Sequence, residues 1–190
     1  MPFLEKGQIY RYCFNIDGLT YVSMSEYQSL KKYYSATPKV LIRRIVNRQN
    51  KLMAMYYDKE LVFTKDINPF LISKKYNLFY ILAIINSKII SYLYINTSSI
   101  ATKDDFRQTT LAELRNLPIP DCKSHIQDKI GRIAERLIDL HKKLTEAKDP
   151  CTLEQLQRRI NATDRKIDQL VYELYGLTEE EIEVVEEGVG

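Results

Sequence analysis

The residues of this sequence able to do chemistry fall into two sets. One is scattered acids, thiols and imidazoles that lack partners; the other is cations grouped with amides. Asp121 after Pro120, followed later by Glu146 and Lys148, has the order of a metal-dependent nuclease. Such carboxylates share a divalent ion only where strand ends bring them together, and here Glu146 and Lys148 close a heptad helix. His125 and His141 have no nucleophile or acid beside them. Cys122 and His125 lack the second pair that a zinc site needs, and with Cys13 and Cys151 the thiols form an odd set that fits a reducing compartment. The run 66–70 (DINPF) approaches an Asn-Pro-Pro-aromatic motif but lacks the second proline. No glycine-rich loop follows a strand to hold an adenosyl cofactor or a nucleotide phosphate. The sequence therefore predicts no catalytic centre, no metal and no cofactor in this chain.

Charge is more informative. Residues 1–120 carry 17 Lys and Arg against 9 Asp and Glu, a surplus of +8, while residues 121–190 carry 11 against 16, a net −5. Only the first segment has the electrostatics of a polyanion binder. Twelve of the fourteen tyrosines lie before residue 100, and strand propensity accounts for most of them. Tyr56 and Tyr57 are adjacent, so on a strand they face opposite sides.

Those side chains must be positioned by the elements around them. Segments 8–15 and 19–23, joined by Asp17-Gly18, read as a β-hairpin. Ser25 and Gln28 suggest a capping box for a helix over 26–34. Runs 39–47, 52–57 and 60–64 read as an antiparallel meander, with a further strand over 70–73. Between 77 and 95 the apolar period becomes helical, with a break at Asn86-Ser87. That polar break argues against a membrane span, and no basic-then-apolar leader opens the chain, so a cytoplasmic location is expected. Thr110 and Glu113 cap a short helix that ends at Pro118 and Pro120.

Beyond Pro120 the pattern is heptad. Ile126, Ile130, Ile133, Leu137, Leu140 and Leu144 form one stripe. Leu153, Leu156, Ile160, Thr163, Ile167, Leu170 and Leu174 form a second after the turn at Asp149-Pro150. Ser124 with Gln127, and Thr152 with Gln155, read as the two capping boxes. The stripes predict an antiparallel coiled-coil hairpin, a self-paired rod that holds the first unit at a set reach. Pairing with a second copy as a homodimer through this arm is left open. Thr178 and Glu181 start a last acidic helix, and 186–190 reads as frayed. The whole is an α+β chain, with a β-rich domain over 1–120 and a helical arm over 121–190.

Several segments together carry a resemblance. They are 7–12 (GQIYRY), 39–45 (KVLIRRI), 80–88 (YILAIINSK), 114–120 (LRNLPIP) and the tail 167–178. In this order the chain resembles the TaqI-like C-terminal specificity domain. That domain is the target recognition module of type IIG restriction-modification enzymes, and it is similar to half of a type I specificity subunit. The resemblance implies sequence-specific binding of double-stranded DNA, with no catalysis in this chain. The partner it implies is a DNA methyltransferase or nuclease domain or subunit, which would hold S-adenosylmethionine and Mg. The likeness also implies that this chain is a fragment or a separately encoded specificity part.

The candidate DNA contacts on that basis are Arg44 in the central strand, Arg48, Gln49, Asn50 and Lys51 after it, Lys74 and Lys75 before the helix pair, and Ser98, Ser99, Thr102, Lys103, Arg107 and Gln108 in the long polar loop. A reading from another class is a protein–protein adaptor acting through the coiled-coil helices.

Overall fold

The computed structural model describes residues 1–4, 8–14, 20–25, 28–99 and 107–190. Eight short strands come first: β1 (Pro2–Leu4), β2 (Ile9–Tyr10), β3 (Cys13–Phe14), β4 (Thr20–Tyr21), β5 (Lys39–Arg43), β6 (Ala54–Tyr57), β7 (Val62–Phe63) and β8 (Ile67–Phe70). Helix α1 (Gln28–Ser35) lies among them. Then follow α2 (Leu78–Asn86), α3 (Lys88–Thr97), α4 (Leu111–Arg115), α5 (Ser124–Glu146), α6 (Pro150–Tyr175) and α7 (Glu179–Gly188). The architecture is α+β, with a β-rich part followed by a helical hairpin.

The strands pair differently from their sequence order. β2 turns back directly onto β3, and Tyr12, with a φ of 64°, makes the turn. The expected partner segment, β4, pairs instead with β1, an N-terminal strand that the sequence reading missed. Leu4 explains this, because it is fully buried and draws the N-terminus into a core cluster. The Asp17-Gly18 turn lies outside the described residues. The meander is also interrupted. β5 and β6 are antiparallel neighbours, but β7 leaves them and runs parallel to β1. Burial of Leu61 and Phe63 in the cluster that holds Leu4 outweighs simple succession. β8 takes the free side of β5, three residues earlier than expected, and Pro69 is tolerated there because β8 is an edge strand.

The sheet β6-β5-β8 divides two cores by strand alternation. Val40, Ile42 and Ala54 face one cluster, and Leu41, Met55 and Ile67 face the other. Tyr56 and Tyr57 follow the same rule: Tyr56 packs on Phe79 in the first cluster and Tyr57 lies against the second.

The larger cluster is built around α2. From Tyr80 to Asn86 this helix is buried on every side. A helix without a polar face must be covered all round. It lies between β6, α3 and α5. The break falls at Asn86-Ser87 as expected, and α3 leaves at 61° to α2. No single described helix is long and apolar enough to cross a membrane.

The helical hairpin does not stand clear as a rod. One hydrophobic cluster runs from Tyr12 and Val40 through α2 to Leu137, Ile167 and Val185. α5 buries Gln127, Ile130, Gly131, Ala134, Leu137 and Leu140, a stripe wider than a two-helix seam, because it packs on α2 as well as on α6. The caps differ accordingly. Gln127 makes no capping box; its side chain accepts from Asn77 N at 2.9 Å and donates to Cys122 O at 3.0 Å. Asp149 caps α6 with Pro150 inside its first turn, so these two residues begin the helix rather than make the turn. The Thr178–Glu181 capping box is present. The expected frayed end is helical to Gly188, and Val189 is buried.

Asn86 joins the sheet to the helices. Its amide donates to Ala54 O and accepts from Ala54 N, each at 2.9 Å, inside the core. Asn86→Ala strands both backbone groups and is expected to cost about 2–4 kcal/mol. Urea unfolding of the variant beside the parent checks this, and a midpoint unchanged within error would contradict it.

Candidate nucleic-acid interface

The sequence-predicted loops leave the sheet at two opposite ends. Past Arg43 the backbone continues alongside residues 107–109: Val46 N donates to Arg107 O at 3.0 Å, Thr109 N donates to Arg44 O, and Ile45 bridges Gln108. Asn68 of β8 closes the joint, donating to Thr109 Oγ1 at 2.8 Å within the core. This brings the 47–51 loop and Arg107 together. Asn50 adopts φ 61°, a left-handed conformation that asparagine tolerates, and its amide accepts from Arg107 and donates to Gly188 O. Lys51 N donates to Asn47 Oδ1 at 2.7 Å, which tightens the turn. Arg48 and Gln49 are exposed at the tip.

The other candidates divide. Arg44 is half-buried, and its backbone is committed to Asp66 and Thr109. Gln108 is half-buried, and its carbonyl accepts from Tyr94 Oη. Ser99 sits beside Glu113, which accepts from Ser98 Oγ and Ser99 N. Burial works against the Glu113 carboxylate, but the hydroxyls of Tyr94, Ser98 and Thr110 hold it below its ordinary value. Thr102 and Lys103 lie outside the described residues. Lys74 and Lys75 are exposed but leave from the other end of the sheet. β8 runs antiparallel to β5, so Phe70 pairs near the start of β5, away from Arg43. Lys75 is also ion-paired to Asp121 at 2.7 Å and lies over the Tyr76 ring. The acids weighed for metal chemistry do not meet, since Asp121 and Glu146 flank α5, roughly 35 Å apart.

A partly buried ionic joint was missed. Arg11 donates to both oxygens of Asp164, at 2.6 and 2.8 Å, and to Asn86 O at 2.7 Å. Asp168 accepts from Lys88 N at 3.0 Å, Lys88 pairs with Glu186, and Tyr172 Oη donates to Glu186 at 2.7 Å. The joint ties the β2–β3 turn to α3, α6 and α7. The only sequence signal was the i,i+4 spacing of Asp164 and Asp168 beside the Ile167 stripe, which reads equally as a solvated face.

With this geometry in place, comparison with known proteins gives the class. The TaqI-like C-terminal specificity domain matches residues 2–119, and the chain belongs to that family. It is a restriction-modification specificity domain. A relative in Methanocaldococcus jannaschii, the putative type II restriction enzyme and methyltransferase RM.MjaORFECS2P, is 40% identical over 181 residues. That match covers 92% of this chain and 14% of the relative. The solved structure of the type IIL restriction-modification enzyme MmeI in complex with DNA shares the fold, with a TM-score of 0.58 at 12% identity. It covers 82% of this chain and 22% of that one.

The joint has a pH signature. Burial pushes the Asp168 carboxyl up to about 6, against the pull of Arg11, from an ordinary 3.8. The folded chain therefore keeps a proton that the unfolded chain releases, and this group's contribution to stability falls as pH rises between those values. The loss is on the order of 3 kcal/mol. Asp168→Asn is expected to gain stability over the parent progressively from about pH 4 to 6 and by a constant amount above. Urea midpoints across pH measure the difference; a gap independent of pH would refute the assignment.

Proposed function

We propose that this chain reads double-stranded DNA as the specificity module of a restriction-modification system and directs a methyltransferase and nuclease to their target. The observation that carries this reading is the joint at the end of β5. There the 47–51 loop and residues 107–109 are locked to a core strand, with exposed Arg48 and Gln49 at the tip, in the segment that holds the +8 surplus. A rigid strand end suits base readout, because hydrogen-bond geometry to base edges is exacting. In this reading Arg48, Lys51 and Arg107 neutralise phosphates and fix register, while Gln49 carries a donor and an acceptor to a base edge. Arg44, Asn50, Ser99 and Gln108 hold the loops. Lys74 and Lys75 at the far end of the sheet supply at most a phosphate contact.

Methyl transfer and cleavage are assigned to a catalytic part outside this chain, together with S-adenosylmethionine and Mg. Among the described residues no group of three or more His, Cys, Asp or Glu has the arrangement of a metal site. The chain acts without catalysis of its own and partners that methyltransferase or nuclease part. Neither the family nor the relatives support the adaptor reading.

Titration of a labelled random duplex with the 190-residue chain across a salt series tests this. Log affinity is expected to fall linearly with log salt. Arg48→Ala reduces the slope by about 1 if Arg48 holds a phosphate. Selection from a randomised duplex pool is expected to return one motif, and Gln49→Ala to relax a single position of it at a cost of about 1–3 kcal/mol. No binding even at low salt would sink the proposal.

A further inference from the structure

We propose that the cleft between the 47–51 loop and α6 seats a backbone phosphate of bound DNA, which makes the helical hairpin part of the nucleic-acid interface. This rests on the DNA-reading role above and extends it to a segment whose overall charge is negative.

The cleft encloses about 250 Å³. Asn47, Gln49 and Lys51 line it from the loop, Gln157, Asn161 and Asp164 from α6, and Arg11 lies beside Asp164. Its chemistry is that of donors around an acceptor. Lys51 is half-buried, and none of the ion pairs among the described residues includes it. Burial, and then the neighbouring cations Arg11 and Lys88, hold its ammonium below the ordinary lysine value, with Asp164 and Asp168 pulling the other way. An anion entering the cleft relieves that repulsion. Arg11 commits both terminal nitrogens to Asp164 and Asn86, while its buried Nε has no partner among the described residues. Gln157 Nε2 donates to Asn161 Oδ1 at 2.9 Å, so the Asn161 carbonyl is occupied and its NH₂ remains to donate. A phosphodiester offers acceptors only and carries one negative charge, which matches this set.

The acidic balance of the second segment does not oppose this. Six of its sixteen acids fall within 179–187, in or beside α7, whereas 155–167 holds Arg158, Arg159, Arg165 and Lys166 against Asp164 alone. Asp164 is neutralised by Arg11.

Four variants of the full chain test the site: Lys51→Gln, Asn161→Asp, Asn161→Lys and, farther along α6, Gln169→Glu as control. Affinity for a random duplex is measured across salt, with thermal unfolding to check integrity; Asn161 and Gln169 are both exposed. Asn161→Asp is expected to weaken binding at least tenfold at low salt, Asn161→Lys to strengthen it, and Lys51→Gln to lower the salt slope by about 1. Gln169→Glu is expected to change neither affinity nor slope. If the parent binds and Asn161→Asp behaves as the control does, the hairpin lies outside the interface and the inference fails while DNA reading stands. If the parent binds no duplex, the reading itself falls and the cleft assignment with it.

Discussion

Everything in this structure answers to one constraint: α2 has no polar face. Seven consecutive residues, Tyr80 to Asn86, are buried. Each large aliphatic among them contributes about 1.5–3 kcal/mol only while it is kept from water. The sheet covers one side and α5 another, so neither the β-rich segment nor the hairpin can give up the contact cheaply. The polar joints sit where that packing would otherwise strand backbone groups. Asn86 satisfies Ala54 on the sheet side, and Gln127 satisfies Asn77 N at the entry to α2. Gly131 allows the close approach: a Cβ there would lie 2.8 Å from Asn77 Oδ1, the oxygen that caps α2.

The same constraint decides where the candidate loops can emerge. β5 is central in its sheet and buried on both faces, so its direction is fixed by two cores at once. Side chains that leave its far end inherit that rigidity through the 44–46 to 107–109 joint. The flanks of the long polar loop are tied as well, at Ser98 and Ser99 to Glu113 and at Thr109 to Arg44. Several residues with amide or hydroxyl groups turn out to be fasteners. Asn50 is the clearest, engaged by Arg107 on one side and by the end of α7 on the other.

Local periodicity made part of this legible from the sequence. The α2–α3 break, the short α4, the two long helices α5 and α6 and the α7 cap all follow from spacings of three and four residues, and each appears where the pattern put it. Of the strand pairing only β5 with β6 was legible; pairs such as β1 with β7 depend on distant residues and on strands of two or three residues with no period to read. Gln127 and Asp149 mark a second limit. A capping pattern specifies which side chain can reach a backbone N–H, but tertiary neighbours offered Gln127 a better partner, and Pro150 moved the start of α6. The candidate site was legible as polar, basic loops. Which side chains the fold had already engaged was not, since that depends on contacts such as Asn50 with Gly188, far apart in sequence.

The continuous core bears on how a specificity module could communicate with a catalytic part. The chain spans 14% of the length of its Methanocaldococcus jannaschii relative. A hinged arm would let a recognition unit swing independently of whatever the hairpin docks against. Here α5 packs on α2 and α6 at once, and Arg11 fastens the β2–β3 turn to α6 through Asp164. Bending the hairpin away from the sheet would expose α2 and break the partly buried ion pair of Arg11 with Asp164. The candidate loops and the hairpin are therefore anchored to one core. On the proposed reading, the distance from target base to reacting base is set by rigid geometry rather than by a flexible tether. Any adjustment between recognition and chemistry must then occur at the surface where the hairpin meets the catalytic part, or in the DNA, whose bending is the softer of the two.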